Sequence, residues 1–204
     1  MSDYPLLQEM PQDIESIDWH ELNDLTKNEE LYDELNAIKY KKFIMKAFDK
    51  AEIYLDKSTY FCLDHKLERV TYYMTYKVTT FGKIGQCVWQ SLVWTNPLAS
   101  YISGIPQKMF FEQLLPKFNT IMTDSQQTWD GKRFWKLRIV DAFKMGLNVY
   151  FYDFSNHNLI KLDVDNHSDL EKFASMKDVW GISDTHKMKR FIISNKALPL
   201  TKGS

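Results

Sequence analysis

Between Tyr60 and Trp94 the sequence holds three stretches, Tyr60–Leu63, Val70–Thr79 and Gln86–Trp94, rich in Thr, Tyr, Val and Trp. Turn-forming segments at Asp64–Lys66 and Phe81–Gly85 separate them. Branched and aromatic side chains are stiff against a helical turn and sit well on a pleated surface. The pattern therefore predicts three antiparallel strands joined by hairpins. Asn96-Pro97 ends the third strand, and a compact helix is expected over Gln107–Leu115, stopped by Pro116. Thr120–Thr123 reads as a short strand, Gly131–Met145 as a helix and Leu147–Tyr152 as a buried strand. Within that helix Trp135, Ile139, Ala142 and Phe143 share a stripe, and Gly146 is its stop. Further along, a strand at Leu159–Val164, a helix at Ser168–Met176 and a last apolar run at Phe191–Ser194 are predicted.

Upstream, Pro5 and Pro11 mark an irregular lead-in, and Ile14, Ile17, Leu22 and Leu25 are loosely helical in spacing. Thr26–Glu29 has the form of a capping box. Leu31, Leu35, Ile38 and Phe43 then lie near one face of a helix expected to continue to Phe48.

With 204 residues and 44% hydrophobic side chains, the chain has a globular composition and a length for about one domain. No apolar run approaches the roughly 18 residues that span a bilayer, and no membrane partner is expected. The start, Met1-Ser2-Asp3-Tyr4, lacks the features of a secretory signal. Cys62 and Cys87 read as reduced thiols of a cytoplasmic protein. A secreted toxin and a Cys-rich zinc module are thereby disfavoured.

The net charge of −1 hides an asymmetry. Residues 1–35 carry 11 acidic groups and one basic group, a sum of −10, and the remaining 169 residues sum to +9. Either the acidic segment covers a basic face of the body or it is a solvated helix pair that aids solubility.

Chemistry concentrates in two places. The loop Ser100–Gly104 lies between a long strand and a helix, where unpaired N–H groups and the helix dipole suit a pyrophosphate. Gly104 permits close backbone approach, and Ser103 is placed to cap the helix. The competing reading is an ordinary strand-to-helix turn. The second place is the polar run after Met122 together with the tyrosines of the later strand. For proton transfers at such a place Asp124 is the base candidate and Tyr150 or Tyr152 the acid, with Ser125 and Thr128 orienting water or substrate. Alternatively Asp124-Ser125 is a turn cap, Thr128 or Asp130 caps the helix, and both tyrosines belong to the core.

The run from Val88 to Asp153 resembles the GNAT N-acetyltransferase fold, in particular phage-borne acyltransferase-like proteins. The likeness lies in Val93-Trp94, Ser103-Gly104-Ile105-Pro106, Leu114-Leu115, the run from Met122 to Gly131, Phe134-Trp135, Ala142-Phe143 and Gly146-Leu147-Asn148-Val149-Tyr150. It implies an α+β fold: a mostly antiparallel central sheet with a splayed parallel pair and helices on both faces, an acyltransferase domain over residues 51–200. The charge and spacing pattern places an acidic helical segment, residues 1–50, in front of that domain and packed on it, and residues 201–204 read as a frayed tail. It further implies acetyl-CoA wedged between Gln86–Trp94 and Thr120–Thr123, its pyrophosphate on the amides of Ile102–Ile105. Val93, Trp94, Ile102, Ser103, Gly104, Ile105 and Thr128 would bind the cofactor, and the acceptor would be an amine of a protein, a small molecule or a nucleobase.

The chain departs from the family pattern in having one glycine and no arginine in Tyr101–Pro106, and Asp141-Ala142-Phe143-Lys144 where a tyrosine is usual. A second expectation is therefore a protein of this fold that binds a host protein or nucleic acid without catalysis.

Other signals are weaker. Asp163–Asp169 resembles a calcium loop without its turn glycine or closing glutamate. The five histidines lack zinc-ligand spacing, and Cys62 with His65 reads as coincidence. Lys132, Arg133, Lys136 and Arg138 with the cluster His186–Arg190 form either an anion-facing surface or scattered solvated charge.

Overall fold

The computed structural model describes residues 19–47, 51–82, 84–125, 129–163, 180 and 187–200. The fold is mixed, with a mostly antiparallel sheet and a few helices. The first helices are α1 (Trp19–Asn23) and α2 (Leu25–Ala37). Five strands follow: β1 (Lys42–Ala47), β2 (Ala51–Asp56), β3 (Thr59–Asp64), β4 (Arg69–Phe81) and β5 (Gly85–Thr95). A 3-10 turn (Ser100–Ile102) leads to α3 (Ile105–Lys108), a π-helical stretch (Met109–Leu114) and α4 (Leu115–Phe118). Then come β6 (Thr120–Met122), α5 (Trp129–Lys144), β7 (Asn148–Asp153), β8 (Asn158–Lys161) and β9 (Lys189–Ser194). The strands run in the order β1-β2-β3-β4-β5-β6-β9-β7-β8. No helix among the described residues is long and apolar enough to cross a membrane.

The chain divides into two compact units. One unit holds the described residues up to Lys77 together with Gln90–Phe111, the other Val78–Trp89 and the described residues from Glu112 onward. Strands β4 and β5 contribute to both.

In the first unit, α2 starts at Asp24, whose extended backbone and side-chain bond to the Lys27 N–H (2.9 Å) make the N-cap in place of the expected Thr26 box. Asn28, Leu31, Tyr32 and Leu35 recur at i, i+3, i+4 and i+7 and form the buried face. They pack with Leu22, Phe61, Leu63, Val70, Tyr73, Leu92 and Trp94. Burying side chains the size of Leu31 or Leu35 stabilises by about 2 kcal/mol each.

The helix expected to reach Phe48 stops at Ala37. Ile38 turns extended (ψ 115) with its N–H on the Leu35 carbonyl, and the Lys41 ammonium donates to the Asn36 and Ile38 carbonyls. The last carbonyls are thereby satisfied without another turn. Residues from Lys42 instead pair with β2, from Lys42↔Leu55 to Ala47↔Ala51, with a register shift between Phe43 and Met45. A Phe-Ile-Met run suits a strand as well as a helix, and its edge partner decided the outcome. Strand β2 itself was not foreseen.

The three predicted strands stand as β3, β4 and β5. The helix expected over Gln107–Leu115 begins earlier and ends later. Pro106 lies in the first turn of α3 and Pro116 in the first turn of α4, where a missing N–H costs no ladder bond. The stop is Asn119, left-handed at φ 63, whose N–H donates to the Leu115 carbonyl at 2.8 Å.

In the second unit, β5 and β6 are parallel at Val88↔Ile121 and Trp89↔Met122. Strand β9 is antiparallel to β6 from Thr120↔Ser194 to Met122↔Ile192 and to β7 from Asn148↔Ser194 to Asp153↔Lys189. Helix α5 packs on β7 and buries Trp135, Ile139 and Ala142. Its end is a Schellman motif: Leu147 N–H donates to Ala142 O (2.9 Å) and Gly146 N–H to Phe143 O (3.0 Å), with Gly146 at φ 69. A methyl group at Gly146 would meet nothing within 4 Å. Gly146→Ala is therefore expected to cost about 1 kcal/mol through backbone strain alone, read as a lower denaturation midpoint at unchanged slope.

Candidate functional site

The expected site residues fall into two groups. Val93, Trp94, Ile102, Ser103, Gly104 and Ile105 belong to the first unit, and Asp124, Ser125, Tyr150 and Tyr152 to the second. Thr128, the helix over Ser168–Met176, His186 and the tail 201–204 lie outside the described residues.

In the first group, Val93 is half-buried, and Trp94 is a core residue whose Nε1–H donates to Asn23 Oδ1 at 3.1 Å. Asn96 then folds the chain: its side chain accepts the Leu98 N–H (2.9 Å) and its carbonyl the Ala99 N–H (3.0 Å). Ile102 N–H donates to Ala99 O (3.0 Å) and Ser103 N–H to Ser100 O (3.2 Å). Two of the four amides assigned to a pyrophosphate thus already serve the 3-10 turn. Ser103 is exposed and does not cap the helix. The N-cap is Gly104, without a side-chain bond. Gly104 sits at φ −86 and ψ −8, open to any residue, with nothing within 4 Å of an added Cβ. Ile105 N–H, at the first helical position, has no intrahelical acceptor.

The second group gathers where β6 ends. Thr123 locks that end onto β9: its N–H donates to Phe191 O (2.9 Å) and its Oγ1 accepts the Phe191 N–H (3.1 Å). Asp124 and Ser125, both half-buried, follow at once. Along β7, alternation puts Tyr150 and Tyr152 on one face, in one cluster with Cys87, Met122, Leu159 and Ile192. Tyr150 Oη accepts the Leu198 N–H at 2.9 Å. Tyr152 packs edge-on against Phe154 (4.5 Å) and holds its hydroxyl 3.3 Å from His157 Nδ1. Burial raises the Tyr152 phenol above its usual range, so it stays protonated at neutral pH.

Opposite Tyr152 in register stands Arg190, only 7% exposed. Burial lowers its guanidinium to about 10, against the opposing pull of the Asp124 carboxylate. Its Nη1 donates to Lys189 O at 2.8 Å, and its Cζ lies 5.5 Å from the Phe154 ring. Sequence analysis places Arg190 in a basic cluster, either anion-facing or solvated, and gives His157 no role. The period-2 step from Ile192 to Arg190 was the available signal. Arg138 fits neither reading of the basic residues, an anion-facing surface or solvated charge: it is buried, paired with Asp141 at 3.1 Å and set over Phe134 at 5.0 Å.

A polar chain that the sequence did not announce lies in the first unit. Tyr32 Oη is bonded to His65 Nδ1 (2.9 Å), His65 Nε2 donates to Glu52 (3.3 Å), and Tyr54 Oη donates to the same carboxylate. Cys62 has no part in it. The thiol is fully buried and pushed up to about 11 by that burial. The Tyr54 bond, helped by His65, holds Glu52 below its ordinary 4.5. A depressed carboxylate pKa stabilises the fold above the unfolded value and loses that contribution as pH falls through the folded one. The stability difference between the native protein and Glu52→Gln is therefore expected to be constant above about pH 5 and to shrink below it, followed by urea unfolding at stepped pH.

No cluster of three metal-ligating side chains occurs among the described residues. Comparison with protein-family models, curated proteins and solved structures gives no match for this chain.

Proposed function

We propose that the protein is an acyl-CoA-dependent N-acyltransferase of the GNAT fold, moving an acetyl group to an amine in the cytoplasm. The observation that carries the reading is the parallel pair β5/β6 in an otherwise mostly antiparallel sheet. The pairing covers Val88↔Ile121 and Trp89↔Met122, while β5 runs on to Thr95 and β6 ends at Met122. Ligands of open sheets gather beyond the carboxyl ends of parallel strands, where loops diverge.

On this reading the donor thioester lies where β6 ends. The acceptor nitrogen bonds to the thioester carbon and the C–S bond breaks. Asp124 takes the proton from nitrogen, with Arg190 orienting the carboxylate, and the Tyr152 hydroxyl gives a proton to the departing sulfur. His157 restores the Tyr152 proton.

Two findings favour a binding protein without catalysis instead: the Ile102 and Ser103 amides are already used, and Pro106 has none. Calorimetry separates the two. The transferase reading expects acetyl-CoA to bind with a Kd of about 10 µM, near −7 kcal/mol. An absence of heat at millimolar acetyl-CoA would overturn the transferase reading and leave the binding protein.

A further inference from the structure

The corner between α2 and β1 gathers cations and aromatic rings at the surface. No acidic residue occurs between Leu35 and Phe48, and four lysines do: Lys39, Lys41, Lys42 and Lys46. Two of them serve the fold. Lys41 donates to the carbonyls that end α2 and lies over the Tyr54 ring at 5.3 Å, and Lys46 stands opposite Glu52 in register. Lys39 and Lys42 are exposed. The register Lys42↔Leu55 brings the β2–β3 turn, with exposed Lys57, to the same end of the strand pair. Asp56 adds one acidic group from that turn.

Two rings stand among these cations, Tyr40 at 93% exposure and Phe43 at 49%. Phe43 is the outer end of a cross-strand row, Phe43↔Tyr54↔Phe61, with centroids 5.9 and 5.8 Å apart. Packing on Tyr54 holds the ring in place while half of it meets water. Lone exposed rings are ordinary; two rings three residues apart beside net positive charge need a reason. Among the described residues β1 has β2 as its one strand neighbour, yet its open edge suits a peptide strand poorly. The register shifts between Phe43 and Met45 and lysines flank the edge, two devices that block strand addition. A second copy of the chain paired there would set lysine against lysine. A flexible polyanion whose own rings stack meets neither obstacle: lysines take its phosphates, and the tyrosine and phenylalanine take its bases.

We infer that Lys39, Tyr40, Lys42, Phe43 and Lys57 form a binding surface for single-stranded nucleic acid, with Tyr40 the principal stacking ring. The inference does not rest on the transferase reading, and failure of either leaves the other standing.

The test titrates the full chain into a fluorescently labelled oligothymidylate of about ten nucleotides and follows anisotropy. A Kd of about 10 µM at low salt is expected. The slope of log affinity against log salt should be about −2, as phosphate contacts from Lys39, Lys42 and Lys57 to a single strand require. Tyr40→Ala, at a position open to solvent, is expected to weaken binding about tenfold with the slope unchanged. Replacing Lys39 and Lys42 together by Gln should bring the slope to about −0.7. Urea midpoints of both variants should match the native protein, since neither exposed corner residue is part of the core.

No change in anisotropy at about 100 µM protein would overturn the inference. So would wild-type affinity in both variants, which puts the contact elsewhere on the chain. A duplex of the same length bound as tightly, with Tyr40→Ala without effect, would reduce the surface to charge alone and overturn the stacking role. A polyglutamate peptide that binds more tightly than the oligonucleotide and ignores Tyr40→Ala would point to an acidic protein partner and overturn the choice of nucleic acid.

Discussion

Asn28→Leu is expected to destabilise the protein by about 3 kcal/mol, because buried groups left without hydrogen bonds cost about 1–3 kcal/mol each. Asn28 is 2% exposed and faces the sheet from α2. Its Nδ2 donates to Leu22 O (2.9 Å) and Val70 O (3.1 Å), and its Oδ1 accepts the Val70 N–H (2.9 Å). One amide therefore mimics a strand neighbour for Val70 and closes the turn between α1 and α2. Leucine has a similar volume, so no large cavity opens; its burial offsets part of the loss, about 1–2 kcal/mol. The remainder is the desolvation of three backbone groups. Urea unfolding reads the change as a shifted midpoint. A loss below about 1 kcal/mol would mean that water reaches Val70 and that the helix is held by its apolar contacts alone.

Tyr152→Phe is expected to lower kcat about 100-fold while acetyl-CoA affinity changes less than about twofold, the usual weight of a general acid. Sequence alone left Tyr150 and Tyr152 as equals. The structure separates them by what each hydroxyl already does. Tyr150 Oη holds the Leu198 N–H, so Tyr150→Phe is expected to cost about 1 kcal/mol of stability and little turnover. Tyr152 has His157 behind it and Arg190 opposite, and its raised pKa keeps the proton in place. Activity should decline at alkaline pH only above the usual phenol range. Thiol released from acetyl-CoA across a panel of amines measures both variants. Equal losses in the two would contradict the assignment.

The strands β3 to β7 and helix α5 were legible in the sequence because each carries a local signal: branched and aromatic runs, a 3.6-residue stripe and a glycine stop. Phe43-Ile44-Met45 failed for a physical reason. Its apolar spacing satisfies both periods, and only pairing with Leu55, Tyr54 and Ile53 selects the strand. Pro116 misled because a proline is disallowed only where its N–H is needed, and the π-helical stretch before it places it at a helix start. Within the candidate site, Asp124 and the two tyrosines were visible as residue types near strand ends. Arg190 was not, since a guanidinium next to Lys187 and Lys189 reads as solvated until β9 is known to start at Lys189. The Tyr32–His65–Glu52 chain joins residues tens of positions apart, which no local pattern encodes.

Amide NMR of the labelled full chain, titrated with acetyl-CoA, addresses the donor site most directly. The account predicts saturable shifts led by Asp124, Ser125 and Tyr152, with α2 silent. Shifts confined to α5, or none at millimolar ligand, would contradict it.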